Sequence, residues 1–151
     1  RDMLCYASPL RRATETARLI GFTSIIVSPP LIEMDWGRFE GRSLAELRST
    51  EGAAFRANEE LGLDFRPSGG ESPREVMARL SHWLQHCQRG VSGILLVTHK
   101  GVRRALLSMA TGWDMRGPPP VKHRDDDAMV MELASDGRIA FERLVNLGSK
   151  P

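Results

Sequence analysis

Three side chains of this 151-residue sequence are of types that could act together on an anionic group: Arg12, Glu33 and His99. A planar guanidinium grips a phosphate through paired hydrogen bonds. A carboxyl group beside a bound phosphate can hold a proton and pass it to a leaving oxygen. An imidazole can hydrogen-bond a phosphoryl oxygen or stabilise charge that develops there. Phosphoryl chemistry is therefore the reading of the three taken together. Each follows a short apolar run, respectively Met3–Ala7, Ser24–Val27 and Gly93–Thr98. If those runs are parallel strands, the three residues leave the sheet at one rim, where open α/β sheets bind ligands. Helix N-termini at that rim would add amide donors and positive dipole ends. Solvent exposure alone also puts polar residues at strand ends. The spacing therefore leaves a bland reading beside each sharp one: a solvated helix arginine, a loop carboxylate among Asp35 and Glu40, a satisfied core histidine.

The elements that would position these groups alternate short apolar runs with longer amphipathic stretches, the pattern of a three-layer α/β/α sandwich with a mostly parallel sheet. Met3–Ala7, Ser24–Val27 and Gly93–Thr98 read as buried strands. Ser8-Pro9 supplies an N-cap and a first-turn proline for a helix to about Ile20, with Leu10, Ala13, Ala17 and Ile20 on one face. Gly21 ends it. Residues 31–42 read as irregular. Ser43 caps a helix through about Arg48, and Gly52–Leu61 reads as another. From Ser72 to Gln88 the chain is an amphipathic helix, with Val76, Leu80, Trp83, Leu84 and Cys87 inward and Glu75, Arg79, His82, His86 and Arg89 wet. His99-Lys100-Gly101 opens a helix to about Ala110. A Gly/Pro-rich, then charged, loop fills 112–127. Ala128–Leu133 and Ile139–Val145 form a hairpin around Asp136-Gly137. No repeat, linker or second domain is visible, so residues 1–151 read as one domain.

Composition narrows the function classes. A length of 151 residues can bury roughly two thirds of its unfolded surface without a disulfide staple. The net charge of +2 is too small for bulk attraction to nucleic acid or to a membrane surface. Arg11, Arg12, Lys100, Arg103 and Arg104 are scattered over two helices without interleaved aromatics, which argues against a nucleic-acid patch. No apolar run approaches the ~20 residues of a membrane span. Cys5 and Cys87 show no CxxC spacing and read as buried thiols of a cytoplasmic protein. His82 and His86 have a spacing that can bind a metal, but they share a solvated face with Arg79 and Arg89. No metal site and no cofactor is expected, and oligomeric state is not legible.

Four ordered segments carry a resemblance. Ala7–Ala17 is similar to the S-P-L-x-R-A-x-Q-T-A segment of histidine phosphatases. Leu31–Gly41 resembles their L-x-E-x-x-x-G-x-W-E-G segment, with Glu33–Gly41 closest to α-ribazole-phosphatase-like members. Gly70-Glu71-Ser72 resembles the G-E-S before a long helix, and Leu96–His99 with Arg104 resembles V-T-H-G-G-x-x-R. Together they cover nearly the whole chain. The resemblance implies the phosphoglycerate-mutase-like fold and a small phosphate ester as substrate. It implies that Arg12 binds the transferred phosphoryl group, Glu33 protonates the leaving group and His99 steadies the phosphoryl group in flight. Trp36, Lys100 and Gly101 are the candidate substrate-binding residues. Trp36 reads equally as a roof to the pocket or as packing.

The sequence departs from this pattern in places. Glu15 stands where Gln is usual, and Lys100 where Gly is usual; the latter adds a flexible cation beside the phosphate site that would favour a multiply charged substrate. Above all, no Arg-His-Gly tripeptide, which carries the nucleophilic histidine in the family, occurs anywhere in the chain. The expectation is a metal-independent phosphatase acting through phosphohistidine, of which this chain is an N-terminally incomplete and inactive portion lacking the first strand. The alternatives are a phosphate-binding module without catalysis, or a mutase-type phosphotransferase. In the family the missing strand lies beside the His99 strand. Ile94–Thr98 should then show an unpaired edge and an exposed apolar face, and the chain should be marginally stable or poorly soluble.

Overall fold

The computed structural model describes residues 3–87 and 92–148. Strand β1 (Met3–Ala7) lies between β2 (Ile26–Val27) and β3 (Gly93–Val97), and both pairings are parallel. The register sets Ala7 opposite Val27 on one side and Val97 on the other. All three strands therefore end level, at one rim. Helices α1 (Arg11–Leu19), α2 (Leu44–Thr50), α3 (Gly52–Glu59), α4 (Pro73–His86) and α5 (Lys100–Thr111) follow in chain order, and β4 (Asp127–Leu133) pairs antiparallel with β5 (Ile139–Asn146). The hairpin forms a sheet of its own, so two sheets are present among the described residues.

The layers follow from strand alternation, since successive side chains point to opposite faces. Tyr6 of β1 and its neighbours Leu4, Ile94 and Leu96 join the main core, with Val76, Leu80 and Leu84 of α4 and Val102, Ala105 and Leu106 of α5. Trp83 packs edge-on against Tyr6 with ring centres 5.1 Å apart. On the opposite face Cys5 and Ala7 meet Ala17 of α1, with Phe22, Ile25, Leu95 and Val97 around them. A helix layer, a parallel sheet and a second helix layer result, the α/β/α order expected.

Several local expectations are corrected. Helix α1 begins at Arg11 with Leu10 at its N-cap, whose side chain has no acceptor to offer, and the Ser8 hydroxyl faces His99. On its expected apolar face only Ala13 and Ala17 are buried; Leu10 is half-buried and Ile20 exposed. The second strand contracts to Ile26–Val27 and is exposed rather than buried, since it has β1 on one side and no further described strand on the other. Strand β3 is half-buried along its length. Its outer edge has no strand partner among the described residues, as expected. Large apolar side chains open to solvent lie around α1 and β2, at Leu19, Ile20 and Val27, and past β5 at Leu147. Helix α4 starts with a capping box: Ser72 accepts from the Glu75 amide and Glu75 from the Ser72 amide. Gln88 and Arg89 lie outside the described residues. Arg79, expected on the wet face, is drawn inward, its side chain only 21% exposed.

Candidate active site

Level strand ends place the three expected residues on one rim. Arg12 stands in the first turn of α1, Glu33 follows the turn after β2, and His99 is the N-cap of α5. His99 is 7% exposed, whereas Arg12 is exposed. Arg12 Nε–H donates to His99 Nδ1 at 3.3 Å, and His99 Nε2 lies 2.7 Å from the Ser8 hydroxyl oxygen. An arginine nitrogen can only donate. Nδ1 is therefore the acceptor, which puts the proton of the neutral ring on Nε2, donating to Ser8. The Ser8 oxygen also accepts from the Leu10 amide at 3.3 Å. Burial lowers the His99 pKa; the Glu33 carboxylate pulls it upward, and the Arg12 and Arg79 guanidiniums add to the lowering. A neutral, oriented imidazole beside a guanidinium results.

Glu33 is held by backbone. Its Oε1 accepts from the Met34 amide at 2.8 Å and the Gly101 amide at 3.0 Å, while Oε2 makes only a 3.3 Å contact with Gly101 N. A Cβ at residue 101 would overlap Oε1 and press on the Glu33 carboxyl carbon and Met34 Cβ, so any residue but glycine there must push the Glu33 carboxylate aside. The segment carrying Glu33 is itself tied down. Thr98 Oγ1 donates to the Leu31 carbonyl at 2.7 Å. Arg79 donates to the Pro30 and Ile32 carbonyls and makes a two-pronged ion pair with Glu71, at 2.8 and 3.0 Å. Glu71 N in turn donates to the Asp35 carbonyl at 2.8 Å. Gly70, just before it, packs so closely on the Asp35 carbonyl that a Cβ would not fit.

Ser8, Glu71, Arg79 and Thr98 therefore position the site, and sequence reasoning assigned none of them that part. Ser8 read as a helix cap and Arg79 as a solvated residue. The available signal was Glu71, which sits in the G-E-S segment with no helix-capping duty of its own.

Beyond Glu33 opens a cavity of about 1140 Å³, lined among others by Trp36, Leu44, Phe65, Lys100, Gly101 and Arg104. Trp36 is half-buried and packs at 5.6 Å on Phe65, so it both packs and lines the cavity. Arg12 and His99 do not line it; Glu33 and Gly101 do. Glu33 thus stands at the junction between the Arg12–His99 pair and the cavity. His82 and His86 remain exposed on α4, with ring centres 4.5 Å apart. Among the described residues no group of three or more acidic, histidine or cysteine side chains is arranged to hold a metal ion. No described helix is long and apolar enough to cross a membrane.

A parallel sheet whose strand ends gather an arginine, a histidine and a glutamate agrees with what comparison with known proteins finds. Residues 2–146 match the family model of the histidine phosphatase superfamily (branch 1), and the chain belongs to that family. It is 29% identical over 148 residues to a metal-independent phosphoserine phosphatase of Arabidopsis thaliana, covering 90% of this chain and 62% of that protein. It is 27% identical over 153 residues to a 2,3-bisphosphoglycerate-dependent phosphoglycerate mutase of Methylobacterium radiotolerans, covering 95% and 72%. The crystal structure of a putative α-ribazole-5′-P phosphatase from Escherichia coli superposes with a TM-score of 0.64 at 26% identity, over 74% of this chain and 58% of that one. The chain spans less than two thirds of the plant phosphatase and of the E. coli structure.

Proposed function

We propose that the protein is a metal-independent phosphomonoester hydrolase working through a phosphohistidine, with the attacking histidine supplied from outside these 151 residues. The observation that carries the reading is the placement of Glu33 between the Arg12–His99 pair and the cavity. The phosphoryl group would sit against Arg12 and His99, and the alcohol of the ester would occupy the cavity, with Trp36, Lys100 and Gly101 beside it. Arg12 commits Nε to His99, which leaves its terminal amines to take two phosphoryl oxygens. The attacking histidine nitrogen forms a bond to phosphorus as the ester P–O bond breaks, and Glu33 gives its proton to the departing oxygen. A phosphate dianion beside a carboxyl favours the protonated form needed for that step. Water then attacks the phosphohistidine and yields its proton to Glu33, releasing inorganic phosphate. His99, its one ring proton given to Ser8 and its Nδ1 accepting from Arg12, holds the Arg12 guanidinium toward the charge that builds in both steps. A reducing compartment such as the cytoplasm suits the two buried thiols, Cys5 and Cys87.

Two other readings have support of their own. The absence of an Arg-His-Gly tripeptide favours a phosphate-ester-binding module without turnover. The similarity to a mutase favours phosphoryl transfer back to a second alcohol. One labelling experiment separates them. The 151-residue chain and a form extended upstream in its reading frame are incubated with a radiolabelled phosphomonoester. Acid-labile, alkali-stable label on a histidine of the extended form, with release of inorganic phosphate, is the expected result. Label passed to an added alcohol would favour the mutase. An extended form that takes no label and releases no phosphate would leave the binding module standing. Turnover by the 151-residue chain alone would place the nucleophile among its own histidines and overturn this account.

A further inference from the structure

We propose that His82 and His86 together bind a late first-row divalent transition-metal ion, which clamps the last turn of α4. The site is separate from the phosphate chemistry. Neither histidine lines the cavity, and the two stand one and two turns beyond Arg79 along the helix. Their spacing puts both on one helix face, where both are exposed. The ring centres are 4.5 Å apart and the planes are tilted by 37°. Two nitrogens on one ion, each at about 2.0–2.1 Å from it, stand about 3.3 Å apart. Rings already this close need only turn about their own side-chain bonds to share an ion.

The second observation is the orientation of His86. Its Nδ1 lies 2.7 Å from the His82 carbonyl oxygen. A carbonyl only accepts, so Nδ1 carries the proton and the neutral ring presents its lone pair at Nε2. A backbone carbonyl taken by one ring nitrogen fixes the tautomer and aims the other nitrogen at a metal. The local charge is also permissive. Arg79, expected on this face, is turned inward onto Glu71 and the Pro30 and Ile32 carbonyls. On the other flank the hairpin turn packs against Gln85 at Gly137, and its Asp136 pairs with Arg138. His86 is the final residue of α4, where the negative end of the helix dipole favours a cation. Two imidazoles, with water completing the shell, suit Cu²⁺, Ni²⁺ and Zn²⁺; Mg²⁺ and Ca²⁺ take oxygen ligands instead.

The test is calorimetric titration of the chain with Ni²⁺, Zn²⁺ and Mg²⁺, together with ring-nitrogen NMR of the histidines as Zn²⁺ is added. Ni²⁺ and Zn²⁺ should bind in equimolar amount and Mg²⁺ should give no heat. Zn²⁺ should shift Nε2 of His86 and one ring nitrogen of His82, and leave His99 and His123 in place. His82→Gln and His86→Gln should each weaken Ni²⁺ binding about tenfold or more, and the double variant should abolish it. An ion that binds only the folded chain stabilises it, so saturating Ni²⁺ should raise the Tm of the parent and not of the double variant. Both side chains are exposed, so the variants should keep the fold, checked by circular dichroism. A double variant that binds Ni²⁺ as tightly as the parent would overturn the proposal. So would Zn²⁺ shifts confined to His99 or His123, or the absence of heat with both Ni²⁺ and Zn²⁺.

Discussion

The two walls of the cavity are built by different means. On one side the Glu33 segment is fixed by inward hydrogen bonds: two amides on the carboxylate, Thr98 on the Leu31 carbonyl, and Arg79 on the Pro30 and Ile32 carbonyls. On the other side α2 and α3 each bury one large side chain, Leu47 and Phe55. The remaining ties there are mostly ion pairs with exposed members, Arg38–Glu51, Arg42–Glu46 and Arg48–Glu59, together with Arg42–Glu51. Inward hydrogen bonds to charged groups are strong and directional, whereas exposed ion pairs are screened and individually weak. The side that would carry chemistry is thus held to a fixed geometry. The side that would meet the substrate's variable part hangs on two apolar anchors and a web that salt can loosen.

The largest effect is expected from the second wall's anchors. Phe55 is 2% exposed, with Phe39 and Phe65 edge-on at 5.5 and 5.8 Å. Phe55→Ala should cost about 3–5 kcal/mol of stability by denaturant melt. A cost below about 1 kcal/mol would mean that the ion pairs hold this wall and would erase the contrast. Arg79→Met leaves Glu71 and two carbonyls without their donor, and should cost about 1.5–3 kcal/mol. It should also lower kcat in a turnover-competent form more than it raises KM, because it misplaces Glu33 rather than the substrate. Gly101→Ala drives a methyl group into the Glu33 carboxylate and should cost about 1–3 kcal/mol, as overpacking does.

A pH series sharpens the same side. The folded pKa of His99 is depressed below the ordinary histidine value of 6.5 by burial first, with Arg12 and Arg79 adding to it against Glu33. Below 6.5 the unfolded chain takes up a proton that the folded ring resists. This contribution to stability is therefore present above 6.5 and lost as pH falls through the folded value. His99→Gln should flatten that slope relative to the parent, read as urea midpoints between pH 7.5 and 5.5. The smallest effect belongs to the ion-pair web. Raising salt from low ionic strength to molar should change stability by less than about 1 kcal/mol, since most of these pairs have an exposed member.

Much of this was legible in the sequence, for reasons that differ by residue. Period-2 and period-3.6 patterning reflects burial, so β1, α4, α5 and the hairpin could be read within a residue or two of their ends. The candidate site was legible at Arg12, Glu33 and His99 because His99 adjoins a strand-like run and the other two follow theirs after a short turn. Exposure of β2 was not legible, since an edge strand and a central one can share the string Ser24–Val27 and differ only in their neighbours. Arg79 was missed for a related reason. Its helical position predicts a wet face, and only the approach of the Pro30–Ile32 turn from 47 to 49 residues away draws it inward.

Local patterning, then, determined the element types, the family and the chemical types gathered after each strand, because these depend on neighbours in the chain. Tertiary structure alone decided the His99 tautomer, the backbone cradle around Glu33 and the role of Arg79. Each is a relation between atoms distant in sequence, set by the parallel register that brings Ala7, Val27 and Val97 level. No string of residues encodes such a relation until the strands have paired.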